Sequence, residues 1–128
     1  MSDHRCVDLM LHTPSIRETQ KFYTEILGFQ VAGVWPEEGE PVWTRVQSGE
    51  VRVMFYHDKS ETGPAGCTGT LYFNTPDVKG YFEKIKGKVE VLFEPHETSY
   101  QMLECAIKDN NGYVLTFGSP TEGHGSGG

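Results

Sequence analysis

Residues that could bind a ligand occur at every second position in two neighbouring segments of the chain. Trp43 and Arg45 alternate along the first segment, and Arg52, Met54 and Tyr56 along the second. Because successive side chains of a strand point to opposite faces, each set shares one face of a sheet. Aromatic rings stack on planar or apolar ligands, thioethers adapt to ligand shape, and a guanidinium group holds an anion. The pattern therefore predicts a surface that binds a small organic molecule.

The same alternation extends this predicted surface to the rest of the chain. The predicted ligand-binding residues are Trp43, Arg45, Arg52, Met54, Tyr56, Tyr72, Met102, Glu104 and Thr116. Asp8 and His12, from an alternating segment near the N-terminus, are candidates for a catalytic general base that acts on a substrate held by Arg45. A carboxylate in a partly apolar cavity has a raised pKa, which suits that role.

A purely structural interpretation of the same residues is also open. Arg52 would then pair with Glu104 or Asp8 to stabilise facing strands, and the aromatic side chains would simply pack. No Ser or Cys has a paired base at a recognisable spacing, and Gly-rich phosphate loops are absent from the sequence. Whether the chain is an enzyme is therefore left open.

Hydrophobic periodicity places the candidate residues on strands. In the first half, Ser15 and Glu18 form a predicted capping box, and Gly28 ends the helix in the left-handed conformation. In the second half, Thr75 is the predicted cap of a helix that begins at Pro76 and has an apolar stripe. The predicted strands are 6–12, 29–35, 42–47, 50–57, 69–74, 88–94, 101–108 and 112–118. Along 6–12, Val7, Leu9 and Leu11 share the face expected to be buried.

The order of strand, helix and three strands occurs twice. HTPSI at 12–16 and NTPDV at 74–78 are the same strand-to-helix junction, repeated after 62 residues. We predict an α+β fold of two βαβββ modules, about 5–57 and 68–118, within a single domain, 1–119. The stretch 58–67 is the expected linker, and 120–128 is expected to be a disordered tail. Each module has one helix and a mixed sheet, and the two concave sheet faces are the expected ligand site.

The amino-acid composition limits the classes of molecule that the chain is expected to bind. The net charge of −7 and the scattered Lys and Arg residues argue against nucleic acid and favour a cationic ligand. No apolar run approaches the roughly 20 residues that a membrane span needs, so no membrane partner is expected. The N-terminus does not resemble a signal peptide, and three cysteines without CxxC spacing suit reduced thiols. We therefore expect a cytoplasmic protein.

Three stretches of sequence resemble the vicinal oxygen chelate superfamily of glyoxalases, bleomycin-resistance proteins and extradiol dioxygenases. They are FYTEILGF at 22–29, LYFNTPDV at 71–78 and QMLECAIKDNNGYVLTFGSP at 101–120, and the resemblance covers about residues 5–119. It implies a pair of βαβββ modules, usually in a homodimer, with a cavity on the concave sheet face.

The resemblance also bears on metal binding. In the metalloenzymes of this family four strand residues bind a metal ion, and the matching positions here are Asp8, Met54, Thr70 and Thr116. Thioethers and neutral hydroxyls bind hard divalent ions poorly, so the metal site is predicted to be missing. The chain is then closest to the bleomycin-resistance type and binds its ligand without a cofactor. The alternative is a lyase, isomerase or dioxygenase of glyoxalase type, with a divalent metal on non-standard ligands such as Asp8, His12 and Glu104.

Overall fold

The computed structural model of the chain describes residues 8–60 and 70–121. The chain divides into two compact units, Met1–Ala65 and Gly66–Gly128. Predictions about Val7, about most of the linker and about residues 122–128 fall outside the described residues. No helix in the two described stretches is both long and apolar enough to cross a bilayer.

Unit 1 contains one βαβββ module. Its elements are β1 (Leu9–His12), α1 (Ile16–Lys21) continued by a π-helical segment (Phe22–Ile26), β2 (Gln30–Trp35), β3 (Trp43–Ser48) and β4 (Val51–Tyr56). The strand order in the sheet is β1-β4-β3-β2. β1 runs parallel to β4, and the other neighbours are antiparallel.

Unit 2 repeats this architecture. Its elements are β5 (Thr70–Asn74), α2 (Val78–Ile85), β6 (Glu90–Glu97), β7 (Met102–Lys108) and β8 (Val114–Pro120). The strand order is β5-β8-β7-β6, with β5 parallel to β8 and the other pairs antiparallel. The predicted α+β fold with two βαβββ modules is confirmed.

The helical segment of unit 1 buries its apolar side against the sheet. Ile16, Tyr23 and Leu27 are buried, and the Tyr23 ring lies 5.1 Å from the ring of Phe55 on β4. Gly28 follows with φ of 85°, as predicted, because a side chain there would be strained. This packing places the sheet's other face opposite the helix.

Only half of the predicted capping box forms at α1. Ser15 Oγ accepts a hydrogen bond from the backbone N–H of Glu18 at 3.1 Å. The Ser15 N–H donates to Thr13 Oγ1 at 3.2 Å, so a neighbouring hydroxyl takes the place predicted for the Glu18 side chain. The helix therefore begins where the sequence predicts, with a different partner at its first residue.

The predicted start of the second helix was wrong. Asp77 is the N-cap, and its carboxylate accepts from the backbone N–H of Gly80 at 3.1 Å. Thr75 instead donates its hydroxyl to the carbonyl of Phe73 at 3.2 Å. A Cβ at residue 80 would overlap the Asp77 carboxylate, so this cap depends on the glycine. The helix buries a stripe formed by Val78, Phe82 and Ile85.

The burial predicted for β1 was also wrong in part. Leu9 is 43% exposed, although the alternation places it on the face that should be buried. β1 is an edge strand, and α1 packs on β3 and β4, so the first residue of β1 receives little cover. Cys105 of β7, by contrast, is fully buried.

Candidate functional site

The face of each sheet that lies opposite its helix is called the open face below. On the open face of unit 1, the strand register aligns side chains in rows across the sheet. One row is aromatic, a second combines thioethers with a guanidinium group, and a third is polar. In order, they are His12, Tyr56, Trp43 and Trp35; Met10, Met54, Arg45 and Gly33; and Arg52, Gln47 and Gln30. The open face thus brings together all the ligand-binding residues predicted in the first half.

Arg45 is held on this face by neighbours that carry no charge. Its guanidinium carbon lies 5.6 Å from the centroid of the Trp43 ring, within cation–π distance. Its Nη2 lies 3.9 Å from the sulfur of Met54. Among residues 8–60 and 70–121, no carboxylate forms an ion pair with Arg45. The side chain is partly exposed, so its N–H donors are available to a ligand.

Arg52 differs from Arg45, because it has a carboxylate partner. Its Nη2 lies 3.7 Å from Asp8 Oδ1, and the two side chains are 42% and 40% exposed. This is one of the two pairings that the structural interpretation predicted. An exposed pair of this kind contributes about 0–1 kcal/mol, since water screens it. Asp8, a candidate base, is therefore already paired with the guanidinium group of Arg52.

Gly33 makes room for the Trp43 ring. A Cβ at residue 33 would lie 3.0 Å from two carbons of the indole, and β2 has an irregular register between Val31 and Gly33. The indole therefore lies against backbone. A glycine inside a strand pattern often marks such a close approach. This signal in the sequence could have identified Gly33 as part of the site.

His12, the other candidate base, lies among aromatic rings at the end of β1. Its ring centroid is 5.5 Å from that of Tyr56, edge to face, and 6.0 Å from that of His57. His57 in turn has Nδ1 3.0 Å from the carbonyl oxygen of Thr13. These contacts pack His12 into the junction between β1 and α1.

On the open face of unit 2, two tyrosine hydroxyls converge on one carboxylate. Tyr72 donates to Glu104 Oε2 at 2.8 Å, and Tyr100 donates to both Glu104 oxygens at 2.8 Å. Glu104 is only 5% exposed. Tyr72 lies on β5 and Glu104 on β7, so the phenol crosses β8, where a Cβ at Gly118 would overlap its hydroxyl. Gly118 is therefore required for the contact.

These contacts and burial raise the pKa of the two phenols. Burial, and then the hydrogen bond to Glu104, raise the pKa of Tyr72 to about 12. The same hydrogen bond, aided by burial, raises the pKa of Tyr100. Both phenols are therefore protonated at neutral pH and act as hydrogen-bond donors to Glu104.

The other predicted residues of this face are less available. Thr116 is 6% exposed, and its hydroxyl bonds that of Thr70 at 2.8 Å. Met102 is partly buried at the start of β7, opposite Pro120 of β8. Tyr100 was not selected from the sequence because it lies in the turn before β7, where strand alternation gives no signal.

The four positions that the family resemblance assigns to a metal do not fit a divalent ion. Asp8 pairs with Arg52, and Met54 offers a thioether beside the Arg45 guanidinium group. Thr70 and Thr116 bond each other. Neutral hydroxyls and a thioether are poor ligands for hard ions, and a fixed positive charge opposes a second cation. In the described part of the chain, no three His, Cys, Asp or Glu side chains are grouped as a metal site requires.

Unit 1 also has a groove of about 500 Å³ at the far end of β2 and β3. It is lined by Gly28 and by residues 30–32 and 47–49. None of the predicted ligand-binding residues lines it. Its lining combines small residues with Gln30 and Gln47 and contains no charged side chain.

Comparisons with known proteins agree with this architecture. The family sequence model described as Glyoxalase/Bleomycin resistance protein/Dioxygenase superfamily matches residues 5–117. The protein YetH of Bacillus subtilis (strain 168) is 29% identical over 102 residues, which is 77% of this chain and 84% of YetH.

Solved structures share the fold at lower identity. TioX from Micromonospora sp. ML1 has a TM-score of 0.74 and 14% identity, covering 90% of this chain and 99% of TioX. A glyoxalase/bleomycin resistance protein/dioxygenase from Nocardioides has a TM-score of 0.72 and 16% identity, covering 96% of this chain and 87% of that one. With two βαβββ modules and a family match over nearly all of its length, the chain belongs to the glyoxalase/bleomycin resistance protein/dioxygenase superfamily.

Proposed function

We propose that the chain binds a small organic molecule, without a metal ion, on the open face of its unit 1 sheet. The ligand in this proposal has a planar part and an acidic group. The observation that carries the proposal is Arg45, which lies on the Trp43 ring and pairs with no carboxylate in the described residues.

The cation–π contact of Arg45 with Trp43 supports the acidic group in the ligand. A guanidinium group is planar, and its N–H donors point outward in its own plane. Two such donors match the two oxygens of a carboxylate. Because Trp43 and Met54 restrict the side chain, less conformational entropy is lost when an anion binds. Arg45 is therefore a better anion receptor than Arg52, which Asp8 already neutralises.

The planar part is supported by the aromatic row beside Arg45. Trp43 and Tyr56 are neighbours in the β3–β4 register, and both are partly exposed. Met10 and Met54, in the next row, offer flexible apolar surface. Stacking on the rings and packing on the thioethers would supply most of the apolar contact.

The proposal further includes a homodimer and a cytoplasmic location. The family resemblance supports the dimer, and Leu9 and Met10, which are 43% and 54% exposed on an edge strand, are apolar surface that a partner could cover. The free thiol of Cys105 agrees with a reducing compartment. Light scattering on the purified chain across a dilution series tests the dimer.

Ligand binding is tested by tryptophan fluorescence. The W35F variant removes the exposed Trp35, so that Trp43 alone reports. Naphthoate and quinoline carboxylates are titrated beside their neutral amides. We expect the acids to quench Trp43 and to bind more tightly than the amides.

The R45Q variant removes the anion receptor and keeps most of its shape. Loss of a charge-assisted hydrogen bond costs about 1.5–3 kcal/mol, so R45Q should bind the acids at least about tenfold more weakly. The matched control is R17Q, because Arg17 is an exposed arginine of the same unit, paired with Glu40. Equal binding of acid and amide, or an R45Q variant that binds as R17Q does, contradicts the proposal. One tight equivalent of metal in elemental analysis of untagged protein would contradict the metal-free part.

A further inference from the structure

Glu104 is a buried carboxylate that lacks a cationic partner in the described residues. It is 5% exposed, and among the described residues it accepts hydrogen bonds from the hydroxyls of Tyr72 and Tyr100. No Lys, Arg or His of residues 8–60 and 70–121 pairs with it. Neutral donors stabilise an ionised carboxylate but leave its net charge in place. The open face of unit 2 therefore carries a negative charge just below its surface.

The two phenol rings that cover this charge are accessible. Tyr72 is 41% exposed and Tyr100 is 63% exposed. A phenol that donates its proton to a carboxylate has a more electron-rich ring, and ring faces of this kind attract cations within about 6 Å of their centroid. The exposed rings and the carboxylate beneath them therefore attract the same sign of charge.

The strand register sets the neighbours of Glu104 on the open face of unit 2. Its register partner on β8 is Gly118, and Ala106 is the next residue of β7 on the same face. On the far side, Phe93 is 40% exposed and its ring centroid lies 5.0 Å from that of His96, the register partner of Glu104 on β6. Small residues thus separate Tyr72 from a second aromatic pair.

We propose that Tyr72, Tyr100 and Glu104 form a binding site for an organic ammonium group, either a protonated amine or a quaternary ammonium. The apolar substituents of such a cation pack on the tyrosine rings, while its charge is attracted to the carboxylate below them. Bare metal ions do not suit the site, because they require direct oxygen ligands and both carboxylate oxygens already accept hydroxyl protons. The proposal rests on residues of unit 2 and does not depend on the function proposed above.

The test uses choline as the probe and 3,3-dimethyl-1-butanol as its uncharged counterpart of nearly the same shape. Binding to the full chain is measured by calorimetry and by NMR shifts of the tyrosine ring protons. We expect choline to bind and to move the Tyr72 and Tyr100 signals, whereas the alcohol binds at least about tenfold more weakly. This comparison needs no variant, so it stands even if a substitution at Glu104 prevents folding.

Variants then locate the charge that attracts choline. E104Q keeps the shape and an oxygen acceptor, and should weaken choline binding by at least about tenfold. The control E97Q removes one negative charge from an exposed position of β6 and should bind as the parent chain does. Choline binding is read out on residues of unit 2 and binding of the acids on residues of unit 1, so failure of the function proposed above is distinguishable from failure here. No choline binding, equal binding of the alcohol, or an undiminished affinity in E104Q would overturn the proposal.

Discussion

The open faces of the two units differ in how exposed they leave a charged side chain. In unit 1, Arg45 lies on the indole of Trp43 and remains partly exposed, with no carboxylate partner in the described residues. In unit 2, Glu104 is 5% exposed and is covered by two phenols. The two sheets have the same strand order and the same parallel pair. The shared fold therefore decides which face a side chain occupies, and its neighbours decide how accessible its charge is.

The neighbours differ because each sheet has its glycine in a different place. Gly33 lies at the edge strand beside Arg45 and receives the Trp43 ring, so the ring supports the guanidinium from one side. Gly118 lies on a central strand beside Glu104 and lets Tyr72 cross to the carboxylate. In unit 2, hydrogen-bonded phenols cover the Glu104 carboxylate. In unit 1, the contact with Trp43 leaves the Arg45 guanidinium group accessible.

Among the substitutions that test this difference between the two faces, G118A should cause the largest loss in the free energy of unfolding. A Cβ at residue 118 would displace the Tyr72 hydroxyl, leaving Glu104 with Tyr100 alone. Loss of the Tyr72 hydrogen bond to the buried Glu104 carboxylate should lower the free energy of unfolding by about 1–3 kcal/mol. Urea unfolding measures this value.

The control for G118A is G87A. Gly87 has open space around the position of a Cβ and does not have a positive φ. We expect G87A to be neutral or slightly stabilising, since alanine reduces the entropy of the unfolded chain. If G118A behaves like G87A, Tyr72 does not depend on the glycine, and the contrast between the two faces is lost.

A smaller effect should appear at high pH. The pKa of Tyr72 is raised to about 12 from an ordinary value near 10, so the folded state retains the phenol proton longer than the unfolded state. The stabilisation is complete below about pH 10 and is lost as the pH rises toward 12. In an absorbance titration of tyrosinate, Y72F should remove one late-titrating group. An unchanged late phase in Y72F would mean that Tyr72 is not held by Glu104. Tyr81, whose pKa burial also raises to about 12, remains as an internal reference.

The smallest effect is expected for R52Q. Arg52 and Asp8 form an exposed pair, so its loss should change the free energy of unfolding by about 0–1 kcal/mol, and less at high salt. Thermal unfolding at low and high salt measures it. A clearly larger loss would show that Arg52, and not only Arg45, contributes to the open face of unit 1.

The fold could be predicted because its signals are local. The repeated junctions at 12–16 and 74–78 and the strand alternation identify two βαβββ modules without knowledge of any long-range contact. The errors lie where two local signals compete. Thr75 and Asp77 are both good caps. Asp77 is the cap that bonds the Gly80 N–H, whereas the Thr75 hydroxyl is taken up by the carbonyl of Phe73. Leu9 is exposed because burial of an edge strand depends on where the helix packs.

The sequence predicted which sheet face each candidate residue occupies, but it did not predict which residue each one contacts. Alternation places Tyr72 and Glu104 on one face, but their contact depends on β8 lying between β5 and β7, which the sequence does not reveal. For Arg52, the sequence allowed either Asp8 or Glu104, and the contact is with Asp8. Tyr100 lies in a turn, where alternation makes no prediction. Register and turn geometry therefore account for what was missed.

The close approach of Trp43 to Gly33 also links the changes that these two residues could undergo during evolution. A tryptophan introduced at position 43 opposite any residue with a side chain at position 33 would meet it at the 3.0 Å separation found here. The indole therefore favours a glycine at position 33, since a Cβ there would require the ring to shift by a few tenths of an ångström. Among relatives of this chain, a tryptophan at position 43 should be inherited together with a glycine at position 33.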